Sequence, residues 1–272
     1  VRTTDTPVHF GHLPGTVQIV GDKNYRGIIT VAKGALKGLG LRIDIVGAGN
    51  IPREGGAVLA INHIGYLDFV LAGIPAEMQG HRLVRFMAKE PIFEHPVAGP
   101  LMRTMKHIPV DRDAGSAAFR AGVEALKSGE LVGVFPEATM SRSMEIKEIK
   151  SGAVRMARSA KVPLIPMVLF GTQRVITYGH RDLSRGKAIC ITVGEPVPTV
   201  GDPEQVTEAL HARMVELHEQ TLARYPDKPT AGDDWWWPKR LGGSAPTLEE
   251  AKVLEAEFVA QKAAKKAAKQ KG

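Results

Sequence analysis

The sequence predicts an α/β domain built on a mainly parallel sheet flanked by helices, and three observations point there. Seven short apolar runs are spread along the chain, each of strand length. Helix-like stretches alternate with them, which is the order of a parallel sheet and its crossovers. Polar residues gather where the apolar runs end, and in open α/β sheets ligands bind at that edge. With 272 residues, 43% of them hydrophobic, the chain can bury a sizeable core.

The elements follow in order. Asn24 to Gly40 reads as an amphipathic helix, with Arg26, Lys33 and Lys37 on one face and Ile28, Val31, Ala32, Ala35 and Leu39 opposite. Strand runs are Leu41 to Val46, Ala57 to Ile61, Leu83 to Ala88, His107 to Val110, Leu131 to Phe135, Pro163 to Phe170 and Ala188 to Val193. Helices are expected over Leu67 to Met78, Gly115 to Lys127, Ser151 to Lys161 and Pro203 to Tyr225. This divides the chain into an N-terminal segment (1–40), an α/β domain (41–226) and a Trp-containing linker with a basic helical tail (227–272). Trp235, Trp236 and Trp237 suit either a bilayer interface or packing back onto the domain.

Chemistry concentrates at two of the strand ends. His63 and Asp68 follow the run Ala57 to Ile61, five positions apart. On a regular helix that step turns about 500°, so the two side chains meet only through an irregular turn, for which Gly65 is suited. If they meet, the carboxylate fixes the imidazole tautomer and leaves the other nitrogen free to take a proton. The alternative is a strand-end histidine beside an Asp that caps the next helix. The run Leu131 to Phe135 leads into Glu137, Thr139, Ser141 and Arg142, and Arg112 closes the run His107 to Val110. Arg112 and Arg142 together suit a phosphate monoester, although each alone reads as a surface ion pair. His and Cys residues are too scattered for a metal site, and none is expected.

The order of these blocks resembles the glycerolipid acyltransferases, the family that acylates glycerol 3-phosphate and 1-acylglycerol 3-phosphate. Its His-x4-Asp block, preceded by Asn, falls on Asn62, His63 and Asp68, and its second block on Ile108 to Arg112. The third, usually Phe-Pro-Glu-Gly-Thr-Arg-Ser, falls on Phe135 to Ser141, with Ala138 in place of Gly and Met140 in place of Arg. The fourth falls on Val162 to Pro166, and Lys150 to Ala153 is similar to a Lys-x-Gly segment found between the two. The resemblance covers roughly residues 30 to 200.

What the resemblance implies is a transferase of phospholipid biosynthesis. His63 and Asp68 would be catalytic; Arg112, Glu137, Thr139, Ser141, Arg142 and Lys150 would bind substrate. A fatty acyl group would pass from acyl-CoA, or from an acyl carrier protein, to lysophosphatidic acid, without a cofactor. Glycerol 3-phosphate, another lysophospholipid or a glycolipid are the alternative acceptors. A non-catalytic lipid tether is the alternative of another class. The net charge of +7 favours anionic partners, an anionic membrane surface among them. Nucleic acid is not expected, since the central region lacks a basic stripe interleaved with aromatics. With neither a secretory signal nor an apolar span of ~18 residues, the expectation is a peripheral protein on the cytoplasmic face of a membrane. The single cysteine, Cys190, lies in an apolar run and reads as a buried thiol.

Overall fold

The structure is a computed structural model that describes residues 23–111 and 115–270, with side chains described to residue 261. Seven strands form the main sheet: β1 (Arg42–Val46), β2 (Ala57–Ile61), β3 (Val84–Lys89), β4 (Ile108–Val110), β5 (Leu131–Val134), β6 (Leu164–Phe170) and β9 (Ala188–Val193). Their spatial order is β1-β9-β6-β2-β5-β3-β4, and every neighbouring pair is parallel except β6 with β9. A small hairpin, β7 (Ile176–Thr177) and β8 (His180–Arg181), stands apart.

Strand β2 lies at the centre, and all five of its residues are buried. Because side chains alternate across a strand, Val58 and Ala60 serve one face while Ala57, Leu59 and Ile61 serve the other. The first face is covered by α5 (Gly115–Lys127), α6 (Gly152–Ala160) and α7 (Pro203–Arg224) through Val123, Leu126, Val154, Met156, Leu210 and Met214. The second is covered by α2 (Asp68–Met78), through Leu71, Ala72 and Ala76, and by Leu36 of α1 (Lys23–Gly38). Both faces are thus dry, which explains why β2 and β6 read as unbroken apolar runs rather than alternating ones.

The amphipathic helix α1 only partly lies on the domain. Tyr25 is buried and donates to the Val84 carbonyl at 2.9 Å, and Ile28 and Ile29 pack near Phe93 and Met102, yet Val31 is 74% exposed. Two short helices, α3 (Glu90–Glu94) and α4 (Ala98–Thr104), fill the connection from β3 to β4. No element was assigned to this stretch from sequence, which carries Pro91, Pro96 and Pro100. Pro91 sits in the first turn of α3, where a missing N–H costs nothing.

The Trp cluster packs inward. Trp236 and Trp237 are 1% and 5% exposed and join Phe170, Leu222 and Tyr225 in a third core cluster. The final helix, α8 (Leu248–Gln270), then returns across the loop that follows β5. Cys190 is buried, and burial pushes its thiol up to about 11. No helix among the described residues is long and apolar enough to cross a membrane.

Candidate active site

Strand register decides which loops meet. Ala60 pairs with Val134 across the parallel β2–β5 ladder, so three residues further on His63 and Glu137 leave the sheet side by side. The His63 backbone N–H accordingly donates to Glu137 Oε1 at 3.0 Å, and the Ser141 N–H donates to the His63 carbonyl at 2.7 Å. On the other side of β2, Ile61 pairs with Met167 of β6, whose continuation brings Thr172 over the start of α2.

His63 and Asp68 do meet, with Nδ1 2.8 Å from Asp68 Oδ2. The same oxygen accepts from the N–H groups of Ile64 and Gly65 at 2.7 and 2.8 Å, and Oδ1 accepts the Thr172 hydroxyl at 2.5 Å. Asp68 is 0% exposed and is the first residue of α2. It ties together the turn before its helix instead of capping the helix itself. Gly65 is required for closeness rather than for a positive φ: a Cβ there would stand 2.9 Å from Thr172 Oγ1 and 3.0 Å from the Thr172 carbonyl carbon.

Oδ2 already accepts two backbone N–H groups, so Nδ1 is the ring nitrogen that donates to it. Nε2 has no partner among the described residues, and the His63 side chain is 24% exposed. The imidazole stacks on Phe135 at 4.3 Å, and Phe135 stacks on Phe86 at 6.0 Å. Gly133 leaves room for that column, since a Cβ there would come within 2.7 Å of the Phe86 ring. A ring held by a carboxylate on one edge and an aromatic face below can take a proton at the remaining nitrogen.

The third block surrounds this pair. Glu137 is buried, with Oε2 accepting from the Lys147 N–H at 3.1 Å; burial pushes its carboxyl up to about 8, against the pull of the two N–H donors. Ala138 adopts a φ of 64°, so the residue standing where the family has Gly keeps the left-handed turn and bears its strain. Met140 is buried at 5% exposure. Ser141 is fully buried and shares a 2.9 Å hydrogen bond with Ser143, which makes it scaffold under the loop rather than lining.

Thr139 and Arg142 lie under α8. The Thr139 hydroxyl donates to Glu255 and accepts from Lys147 Nζ at 2.5 Å, while Lys147 Nζ lies 2.9 Å from Glu255 Oε2. The Arg142 guanidinium sits 4.2 Å from the Tyr178 ring centre and 5.6 Å from that of Phe258. Lys150 donates its backbone N–H to the Pro136 carbonyl at 3.0 Å and is exposed. Arg112 falls outside the described residues. Thr172, Lys147, Glu255 and Phe258 escaped the sequence reading, because no local spacing links them to the blocks. No group of three His, Cys, Asp or Glu that could hold a metal occurs among the described residues.

A cavity of about 670 Å³ opens along α2 beyond Asp68. Phe69, Val70, Gly73 and Ile74 of α2, Ile28, Val31 and Leu36 of α1, and Leu101 and Met105 line it. His107 also borders it, its Nδ1 accepting from the Phe86 N–H at 3.1 Å; burial pushes this imidazole down to about 4.

Comparison with known proteins bears on the whole arrangement. The family model described as Acyltransferase matches residues 42–170. A 1-acyl-sn-glycerol-3-phosphate acyltransferase of Bacillus subtilis is 31% identical over 183 residues, which is 63% of this chain and 85% of that one. A chloroplastic protein of the same description from Brassica napus is 28% identical over 160 residues, 57% of this chain and 45% of its own length. The crystal structure of the LPA acyltransferase PlsC from Thermotoga maritima matches with a TM-score of 0.62 at 24% identity, covering 74% of this chain and 81% of that one. This last likeness is one of fold.

Proposed function

The chain belongs to the glycerolipid acyltransferase family, and from that premise we propose that it moves a fatty acyl group from acyl-CoA to the free hydroxyl of 1-acylglycerol 3-phosphate. The observation that carries the reading is the His63 imidazole, fixed at Nδ1 by Asp68 and open at Nε2. The acceptor hydroxyl gives its proton to Nε2 as its oxygen attacks the thioester carbonyl carbon. The C–S bond then breaks, and the departing thiolate takes the proton back from the imidazolium. Asp68 stabilises that imidazolium and holds its orientation. General-base catalysis of this kind is worth about 10²–10⁴ in rate, so positioning and stabilisation of the oxyanion supply the rest.

The apolar cavity beside α2 supports an acyl donor, having the size and lining of a small-molecule site and starting one residue after Asp68. The names of the Bacillus subtilis and Brassica napus relatives support the acceptor. Val31 and Leu101, both at the cavity and both exposed, together with exposed Val97, support peripheral contact with a membrane from which the substrates are drawn.

The test is an assay of purified protein with acyl-CoA and acyl carrier protein thioesters against lysophosphatidic acid, glycerol 3-phosphate and an uncharged monoacylglycerol. Acylation of lysophosphatidic acid by acyl-CoA, lost by at least about 10² in His63→Ala, is expected. Full activity in His63→Ala would reject the base. Transfer from the carrier-protein thioester alone would replace the donor, and preference for another acceptor would replace lysophosphatidic acid.

A further inference from the structure

Helix α8 lies outside the residues matched by the family model, yet it delivers two side chains to the third block. Glu255 meets Thr139 and Lys147, and one turn further on Phe258 meets Arg142. The block is also short of a cation, because Met140 stands where the family pattern has Arg and its side chain is buried. Lys147 comes from six residues beyond the block and brings its ammonium to the Thr139 hydroxyl at 2.5 Å. Its side chain is only 15% exposed, so the charge is largely out of bulk water and needs an anion beside it.

We propose that Lys147 is a phosphate-binding residue of the acceptor site, standing in for the missing third-block arginine, and that the Glu255 carboxylate holds the phosphate's place until acceptor arrives. A carboxylate and a phosphate offer these donors the same thing: oxygens that accept charge-assisted hydrogen bonds from an ammonium and a hydroxyl. Glu255 already takes both bonds, one at each oxygen. The hydrogen bonds from Thr139 and Lys147 outweigh burial and hold its carboxyl below the usual range, so it is anionic at neutral pH. Such a placeholder keeps Lys147 neutralised in the empty enzyme and lowers acceptor affinity by whatever it costs to displace it. Phe258 acts alongside, covering the face of the guanidinium that would serve the same phosphate. Beyond Glu255, the ion pair that ties α8 to the segment after the block, Lys252 with Glu148, is exposed and contributes little to holding the helix down.

The inference rests on the proposed acceptor being phosphorylated, and the experiment separates the two. Titration of the wild type, Glu255→Gln and Lys147→Gln with inorganic phosphate and with glycerol 3-phosphate, by calorimetry, reads the subsite without catalysis. Steady-state assays on lysophosphatidic acid read it during turnover. Glu255→Gln keeps the shape and a hydrogen-bond acceptor for Thr139 but removes the charge. Phosphate affinity should rise about tenfold and the acceptor KM should fall by a similar factor. Lys147→Gln should move both quantities the opposite way by tenfold or more. A merely structural tie between α8 and the loop would shift both variants in the same direction, with lowered thermal midpoints and lowered kcat, and that result overturns the proposal. Should the wild type transfer no acyl group, the proposed reaction fails, and opposite-signed shifts in the phosphate titration would still uphold the subsite. Absence of any phosphate binding in Glu255→Gln would overturn it.

Discussion

Thr172 donates its hydroxyl to Asp68 Oδ1 at 2.5 Å, from 104 residues further along the chain. Asp68 is thereby engaged on both oxygens, and the oxygen facing His63 keeps its direction. Thr172 in turn belongs to a short turn whose next residue, Gln173, donates to the Trp236 carbonyl at 3.1 Å. The linker after α7 is therefore wired to the carboxylate beside His63.

Replacing Thr172 by Val keeps the side-chain shape and removes that one donor. The freed Oδ1 is buried, so leaving it unsatisfied costs about 1–3 kcal/mol and lets the carboxylate rotate. Thr172→Val should lower kcat about tenfold or more while changing the acceptor KM by less than threefold. A variant with equal losses in kcat and affinity would mean that Thr172 contacts substrate.

Strands β2, β6 and β9 were legible because each is an apolar run buried on both faces of the sheet, whereas the edge strand β1 shows itself by alternating Ile with exposed Arg42, Asp44 and Val46. The pair His63 and Asp68 was legible through its place among the ordered blocks, since the five-residue spacing alone left open a strand-end histidine beside a capping Asp. Its supports were not. Thr172, Lys147 and Glu255 reach the site through register and through the return of α8, neither of which leaves a local pattern. Hairpin β7–β8 was missed for a related reason: two-residue strands carry no period to detect. The position of Trp236 could not be chosen from sequence, because an indole satisfies an apolar core and a bilayer interface equally well.

Glu137 makes stability depend on pH. Its carboxyl titrates near 8 in the folded protein, against 4.5 ordinarily, because burial disfavours the charge. The folded state therefore holds an extra proton between those values. The contribution is fully present below about pH 4.5 and is lost as pH rises through 8, with a slope of at most about 1.4 kcal/mol per pH unit. Glu137→Gln cannot titrate. Urea unfolding at pH 5.5, 7 and 8.5 should show the wild type losing stability relative to the variant across that window. Parallel pH profiles would show that the carboxyl is already ionised at pH 5.5 through its two N–H donors.

Trp236 should behave as core and not as a membrane anchor. Its ring is 1% exposed, lies under the Arg174 guanidinium at 4.1 Å and contacts Phe170, Tyr225 and Trp237. Trp236→Ala should destabilise the fold by about 3–5 kcal/mol. Binding of the folded variant to anionic vesicles should match the wild type. Weaker vesicle binding with an unchanged unfolding midpoint would assign the residue to the bilayer.

The depth of the cavity along α2 should set acyl chain length. Gly73 lies on its wall, and a Cβ built there meets nothing within 4 Å, so a larger side chain enters the cavity instead of the core. Leu brings four carbons, roughly the volume of four methylenes of acyl chain, each worth about 0.8 kcal/mol when buried. Gly73→Leu should therefore shift preference to donors about two to four carbons shorter, with kcat/KM for the longest chains falling by at least tenfold and that for short chains retained. The helix itself gains from the exchange, since Gly is a poorer helix former than Leu by about 0.8 kcal/mol. A uniform drop across all chain lengths, in a variant of normal thermal midpoint, would place the acyl chain elsewhere. Mass-spectrometric analysis of the products from a mixture of acyl-CoA chain lengths reads the outcome in a single reaction.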